Sequence, residues 1–177
     1  LLFSQVHLLG QFKSIGVPEI INIPREEYGA DAQIWDIIQD DRGIIYLGNK
    51  TGILTFDGED WDVIPVSNNS MVRSLTTGSD GRIYVGAYNE IGVIEKSVKK
   101  RFVYLSLNHL IPDDARDFDD VWKVYQTRFG IIFQSFEYIF IYQHDSLQVI
   151  KPGERFGYSY YLNNNFYVVE KGIGLRM

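Results

Sequence analysis

The chain has 177 residues, 45% of them apolar and 15% aromatic, which is enough for a core and too much for a disordered segment. Its net charge of −6 and isoelectric point near 5.0 argue against a nucleic-acid surface, which needs clustered Lys and Arg. It holds no cysteine, which excludes disulfides and thiolate metal sites, and no apolar run reaches the roughly 18 residues of a membrane span.

Residues 1–10, LLFSQVHLLG, read either as the remnant of a secretory signal peptide or as an ordinary apolar strand. Residues 11–33 form an extended lead-in rather than a helix, because Pro18, Pro24, Gly16 and Gly29 interrupt any helical run. From Ile34 to Ile64 four short apolar runs alternate with turns: Ile34 to Gln39, Ile44 to Gly48, Ile53 to Phe56 and Asp60 to Ile64. Runs this short, rich in Ile, Tyr and Trp and bounded by Gly and Asp, are strands. The unit is a four-stranded antiparallel meander joined by tight turns.

Residues 71–107 repeat it. Met71 to Thr76 answers the first strand, Ser79-Asp80-Gly81-Arg82 answers the first turn, and Ile83-Tyr84-Val85-Gly86 answers Ile45-Tyr46-Leu47-Gly48. The basic cluster Lys99-Lys100-Arg101 falls at a turn and reads as solvated. In residues 121–150, Val121 to Tyr125 matches Ile34 to Ile38, Gly130 matches Gly43, and Ile132-Phe133-Gln134-Ser135 matches Ile45 to Gly48. A partial fourth unit spans residues 156–177. Taking Tyr46, Tyr84, Phe133 and Tyr167 as markers, the spacings are 38, 49 and 34. Periods of about 40 with four strands each predict an all-β fold, a β-propeller with three full blades and a partial fourth. The expected shape is an open arc, a fragment of a larger propeller of about seven blades. A closed four-bladed ring is the rival.

Several residues carry a family resemblance: the G-x-P-x-I start at Gly16, Tyr28-Gly29, Gln33 before Ile34-Trp35, Gln39-Asp40 to Gly43, and Phe56-Asp57-Gly58 with Trp61. Val72 to Leu75, Gly81 to Gly86 and Asp117 to Trp122 extend it over most of the chain. With these motifs the chain resembles the two-component regulator propeller family of bacterial sensors. The third blade departs from the pattern, lacking a Gly in the Phe136-Glu137 turn and an Asp-Gly before its last strand. The resemblance implies a periplasmic sensor of a transmembrane signal-transduction protein. It further implies more blades, a triple-tyrosine domain, a membrane helix, a histidine kinase or LuxR-type output, and a homodimer of the full-length receptor.

Nothing in the chain resembles a catalytic motif. His7, His109 and His144 are isolated, there is no P-loop or G-x-S-x-G, and Gly172-Ile173-Gly174 lacks the third glycine of a dinucleotide site. Two Asn-x-Ser/Thr sequons, at Asn49 and Asn68, read as turn composition. No enzyme, cofactor or metal is expected. The connection Asn108 to Asp120 is unusually long and carries five aspartates. It reads as a solvated acidic loop, a ligand-contacting rim or a calcium site, the last without the spacing of an EF-hand.

In a propeller the loops leading into first strands share one face with the turns between second and third strands. That face collects the candidate ligand-binding residues Gln33, Lys50, Arg73, Tyr88, Asn89, Glu90, Asp119, Asp120 and Glu137, beside Asn69, Trp35 and Trp122. The two tryptophans are expected in the core. A mixed polar and aromatic rim suits a carbohydrate ligand. A structural or protein-interaction propeller and a propeller polysaccharide lyase are the alternatives.

Overall fold

The computed structural model describes residues 16, 20–96 and 102–177; the two readings of residues 1–10 and the basic cluster at 99–101 lie outside the described residues. The lead-in is not wholly extended. Pro24 opens a single helical turn, α1 (Arg25–Tyr28), and Gly29 closes it in the left-handed conformation that a side chain would oppose. Tyr28 packs on Trp61, with ring centroids 5.8 Å apart, and so anchors the turn to the first blade.

Blade one consists of β1 (Ile34–Gln39), β2 (Ile45–Asn49), β3 (Gly52–Phe56) and β4 (Trp61–Ile64). Blade two has β5 (Val72–Thr77), β6 (Ile83–Ala87), β7 (Glu90–Lys96) and β8 (Phe102–Ser106). Blade three has β9 (Lys123–Thr127), β10 (Gly130–Gln134), β11 (Ile139–Gln143) and β12 (Ser146–Ile150). Blade four has β13 (Phe156–Leu162), β14 (Asn165–Glu170) and β15 (Gly174–Arg176). Every sheet is an antiparallel meander in chain order.

Three cores lie between successive blades. Tyr46, Ile53, Val72, Leu75 and Val85 fill the first, Tyr84, Ile91, Phe118, Phe133 and Phe140 the second, and Ile132, Ile139, Phe156 and Val168 the third. Among the described residues no core joins blade four to blade one. Ile37 on one side and Tyr160, Leu162 and Leu175 on the other are exposed. Over the described residues the arc is open, as the repeat count predicts.

The first strands meet at the narrow edge of each wedge, where room is smallest. A Cβ at Gly48 would lie 3.0 Å from the Val72 carbonyl oxygen, and one at Gly86 would lie 2.5 Å from Val121 Cγ1 and 2.8 Å from Val124 Cγ2. Polar bonds follow the same line. Asp36 Oδ2 accepts from Ser74 Oγ (3.0 Å) and the Leu75 amide (2.9 Å), while Ser74 Oγ accepts from the Val124 amide (3.1 Å). Gln134 occupies the glycine position in blade three and reaches blade four through Gly157 O (3.1 Å) and Ser159 Oγ (3.0 Å).

Side-chain direction corrects one repeat match. Tyr46 and Tyr84 face the following blade, whereas Phe133 faces the preceding one, and Ile132 takes the tyrosine position. The cause is the β9–β10 turn, one residue shorter than its counterparts: Gln126 pairs with Ile131, while Thr77 pairs with Ile83 and Gln39 with Ile45. One residue reverses every side chain of a strand.

The lower ends of the first two cores carry the same polar network, Asp, Arg and Tyr, from different spacings. In blade one Asp40 Oδ2 accepts from Arg42 Nε (2.9 Å) and the Tyr46 hydroxyl (3.1 Å). In blade two Asp80 Oδ2 accepts from Arg82 Nε (2.7 Å) and the Tyr84 hydroxyl (2.8 Å), and Gly78 stands where Asp40 stood. Burial acts to raise both carboxyls, but the paired arginine, backbone amides and the tyrosine hydroxyl outweigh it and hold them below the ordinary value of 3.8. Tyr46 is pushed up to about 12, by burial first and then by the Asp40 charge.

Two measurements test these points. Gly86→Ala is expected to cost about 1 to 3 kcal/mol in denaturant unfolding, because Val121 and Val124 are buried in the core and must shift; exposed Glu59→Ala should change stability by under about 0.5 kcal/mol. An unchanged Gly86→Ala midpoint contradicts the close approach. Because Asp40 and Asp80 have folded pKa values below 3.8, their stabilisation is complete above that value and is lost as pH falls through the lowered ones. Asp40→Asn with Asp80→Asn should therefore lower stability at neutral pH and flatten its decline below about pH 4. A decline as steep as the wild type's would remove the network from the acid response.

Candidate ligand-binding face

The upper face is built from the loops that lead into β1, β5, β9 and β13 and from the turns after β2, β6 and β10. Trp35 and Arg73 sit where β1 and β5 each carry an extra residue, between Ile34 and Asp36 and between Val72 and Ser74. Such a bulge re-aims a side chain out of the strand's alternation. The Arg73 guanidinium carbon lies 3.8 Å from the centroid of the Trp35 ring and 4.9 Å from that of Trp122. Asp120 grips it through Nε (2.8 Å) and Nη2 (3.1 Å), and Nη1 is buried without a partner.

Aromatic contacts continue the band into the next two blades. Trp122 stacks on Phe136 at 5.7 Å, and Phe136 meets Tyr158 edge-on at 6.1 Å and Arg155 at 4.8 Å. Trp35 is 37% exposed and Tyr158 is exposed, so both ends of the band are open to solvent. The expectation that the tryptophans are core is corrected for both: the bulge turns the Trp35 indole onto Arg73, and Trp122, half-buried, stacks on Phe136 in the same band and joins no core.

Asn89 organises the acidic side of this face. Its Oδ1 accepts from the amides of Phe118 (2.7 Å) and Asp119 (2.9 Å), and its own amide donates to Asp119 O (2.8 Å). Tyr88 bridges to Asp120 through the backbone, its ring exposed beside Asp119, whose charge raises the phenol. Glu137 lies 3.4 Å from Arg155 with Oε2 buried and unpartnered. Burial raises its pKa, opposed by Arg155 and assisted by Asp119. The structure thus gathers Arg73, Tyr88, Asn89, Asp119, Asp120 and Glu137. Gln33 and Lys50 stand exposed on blade one, with no side-chain hydrogen bond among the described residues.

Glu90 does not belong to the face. It is 3% exposed, accepting from the Tyr104 hydroxyl (2.9 Å) and Asn108 Nδ2 (3.3 Å), and burial followed by the Glu90 charge raises Tyr104 strongly. The long connection over it is half core as well. Ile111, Ala115 and Phe118 are buried, Asp113 pairs with Arg116, and Asp114 pairs with Lys151 at 2.6 Å. Among the described residues no three acidic or histidine side chains are arranged for a metal ion. Phe136, Arg155 and Tyr158 escaped the sequence reading; the usable signal was an aromatic or Arg at one position of three successive first strands, Trp35, Arg73 and Trp122.

With side chains only 12% and 19% exposed, the Arg73–Asp120 pair is shielded from solvent far more than a surface bridge. A double-mutant cycle between Arg73→Ala and Asp120→Ala should give a coupling of about 1.5 to 3 kcal/mol, as for hydrogen bonds to charged groups. A coupling below about 0.5 kcal/mol would place it among ordinary surface pairs.

No protein-family model and no curated protein matches the chain. Solved structures do. A domain described as the extracellular domain of a hybrid two component system, BT3049 from B. thetaiotaomicron, superposes with a TM-score of 0.63 at 14% identity over 88% of this chain. The extracellular domain of BT4673 from the same organism, described in one structure as a one component and in another as a hybrid two component system, gives 0.58 at 19% identity over 80%. The chain spans only 22% of the first of these structures and 20% and 19% of the two BT4673 structures. The chain shares the fold of these extracellular domains, and its successive antiparallel sheets make it a β-propeller arc.

Proposed function

We propose that the chain is part of the periplasmic sensing region of a bacterial transmembrane receptor of the two-component regulator propeller kind. The output is a histidine kinase or a LuxR-type DNA-binding module. Two things support this reading: the blade motifs from Gly16 to Trp122, and a fold shared with domains described as extracellular parts of such systems. Its role is binding, not catalysis. The observation that carries the ligand class is the band of Trp35, Arg73, Trp122, Phe136 and Tyr158 across four blades. Ring faces stack on the C–H face of a sugar while Asp119, Glu137 and Gln33 offer hydrogen bonds to its hydroxyls, so a carbohydrate is the fitting ligand. Further blades, a triple-tyrosine domain, a membrane helix and a second receptor copy are the partners this role requires.

Signalling requires that the ligand bind two receptor states with different affinity, since equal affinity shifts nothing. In the intact receptor with a transcriptional reporter, Tyr158→Ala and Trp35→Ala are each expected to raise the saccharide concentration for half-maximal induction about tenfold, a loss of about 1.4 kcal/mol. Both sit at open ends of the band, so melting temperatures should move by only a few degrees. Induction at the wild-type concentration by both variants would remove the ligand from this face, and turnover of the saccharide by purified protein would favour the lyase alternative.

A further inference from the structure

A groove of about 560 Å³ lies on the opposite, lower face, between blades two and three. Its walls are the β5–β6 turn on one side and the β9–β10 and β11–β12 turns on the other. The equivalent cleft between blades one and two is about 290 Å³, and there Arg42 lies over the Phe102 ring, 5.1 Å from its centroid. The shortened β9–β10 turn, residues 128 and 129, lines the roomier second cleft.

Most of the groove's polar groups are already committed to one another. The Tyr84 and Tyr142 hydroxyls donate to Asp80 (2.8 Å) and Asp145 (2.7 Å), and Arg82 is held by Asp80 (2.7 Å) and Glu95 (3.0 Å). Gln126 ties the two walls together, accepting from the Ser79 amide (2.8 Å) and donating to Thr127 O (2.9 Å). The framework is fixed before any ligand arrives. What remains unspent sits at the mouth: the Arg128 guanidinium, in no ion pair among the described residues and 4.6 Å from the Phe129 ring centroid, with the exposed side chains of Gln143 and His144 and the second oxygen of Asp145. His144 and Asp145 both have left-handed backbone, φ 50° and 55°, as a two-residue hairpin turn requires.

We propose that this groove binds a hydroxylated oxyanion, a sugar or polyol bearing a carboxylate, sulfate or phosphate. The volume is that of a small-ligand site, about 300 to 1,000 Å³. A guanidinium fork matches two oxygens of such a group at once, so Arg128 takes the anion with His144 as a second donor. Asp145 and Gln143 take the hydroxyls. Asp80 does not oppose the anion, because the Arg82 guanidinium and Tyr84 hydroxyl hold its Oδ2 and the Arg82 backbone amide its Oδ1. This site is independent of the upper-face reading and shares no residue with it.

Calorimetric titration of the intact protein with D-glucuronate, glucose 6-sulfate, glucose 6-phosphate and neutral glucose tests the proposal. At least one of the three anions is expected to bind while glucose does not, and the one that binds identifies the oxyanion. Arg128→Gln should weaken it tenfold or more, and Gln143→Trp, which fills the groove, should abolish it. Arg155→Gln on the upper face should leave it unchanged. The proposal is overturned if none of the three anions binds, if glucose binds equally, or if binding survives either groove variant; a melting temperature unchanged in both variants separates lost contacts from lost folding.

Discussion

The narrow edge of the wedge constrains everything else in this molecule. The first strand of each following blade must come close to the blade before it, and it does so because Gly48 in β2 and Gly86 in β6 present no side chain to Val72, Val121 and Val124. The line of bonds from Asp36 through Ser74 to the Val124 amide then fixes the height of one blade against the next. A sheet held at one edge and twisted must splay at the other. The splay is what large side chains fill, and the positions that face a neighbour are accordingly Tyr46, Tyr84 and Phe140 rather than small residues.

Closing the lower end of a splayed cleft poses a harder problem, because a tyrosine long enough to span it carries its hydroxyl into the packing. A buried hydroxyl without a partner costs on the order of 1 to 3 kcal/mol. Asp40 with Arg42, and Asp80 with Arg82, solve it with the same three groups supplied from different loop positions. Blade three replaces the tyrosine with Ile132 and needs no such network. The cleft below blades two and three, about 560 Å³, is roomier than the one below blades one and two, about 290 Å³.

The upper face follows from the same edge in the opposite direction. Bulges in β1 and β5 free Trp35 and Arg73 from the alternation of their strands, and Asp120 holds the guanidinium against two indoles. Three blades are joined by one side chain. Such an arrangement is rigid, with few rotamers left to lose when a ligand lands on it, and preorganisation of this sort favours affinity.

Local chemistry determined a great deal. Short apolar runs punctuated by Gly, Asp and Asn specify strands and hairpins one at a time, and their recurrence specifies a propeller, because turn geometry depends on a few adjacent residues. The membership of Arg73, Asn89 and Asp120 in one face was legible too, since propeller topology alone puts those loops at one end. Tertiary structure decided the rest. Whether Ile132 or Phe133 continues the tyrosine position hung on one residue of turn length, invisible in a run of unbroken apolar residues. Glu90 and the sides of the 108–120 connection looked polar and therefore exposed, but packing against β8 enclosed Glu90 and drew Ile111 and Phe118 inward. Trp35 looked like core and is half in solvent, because a bulge is a property of two paired strands and no single strand announces it.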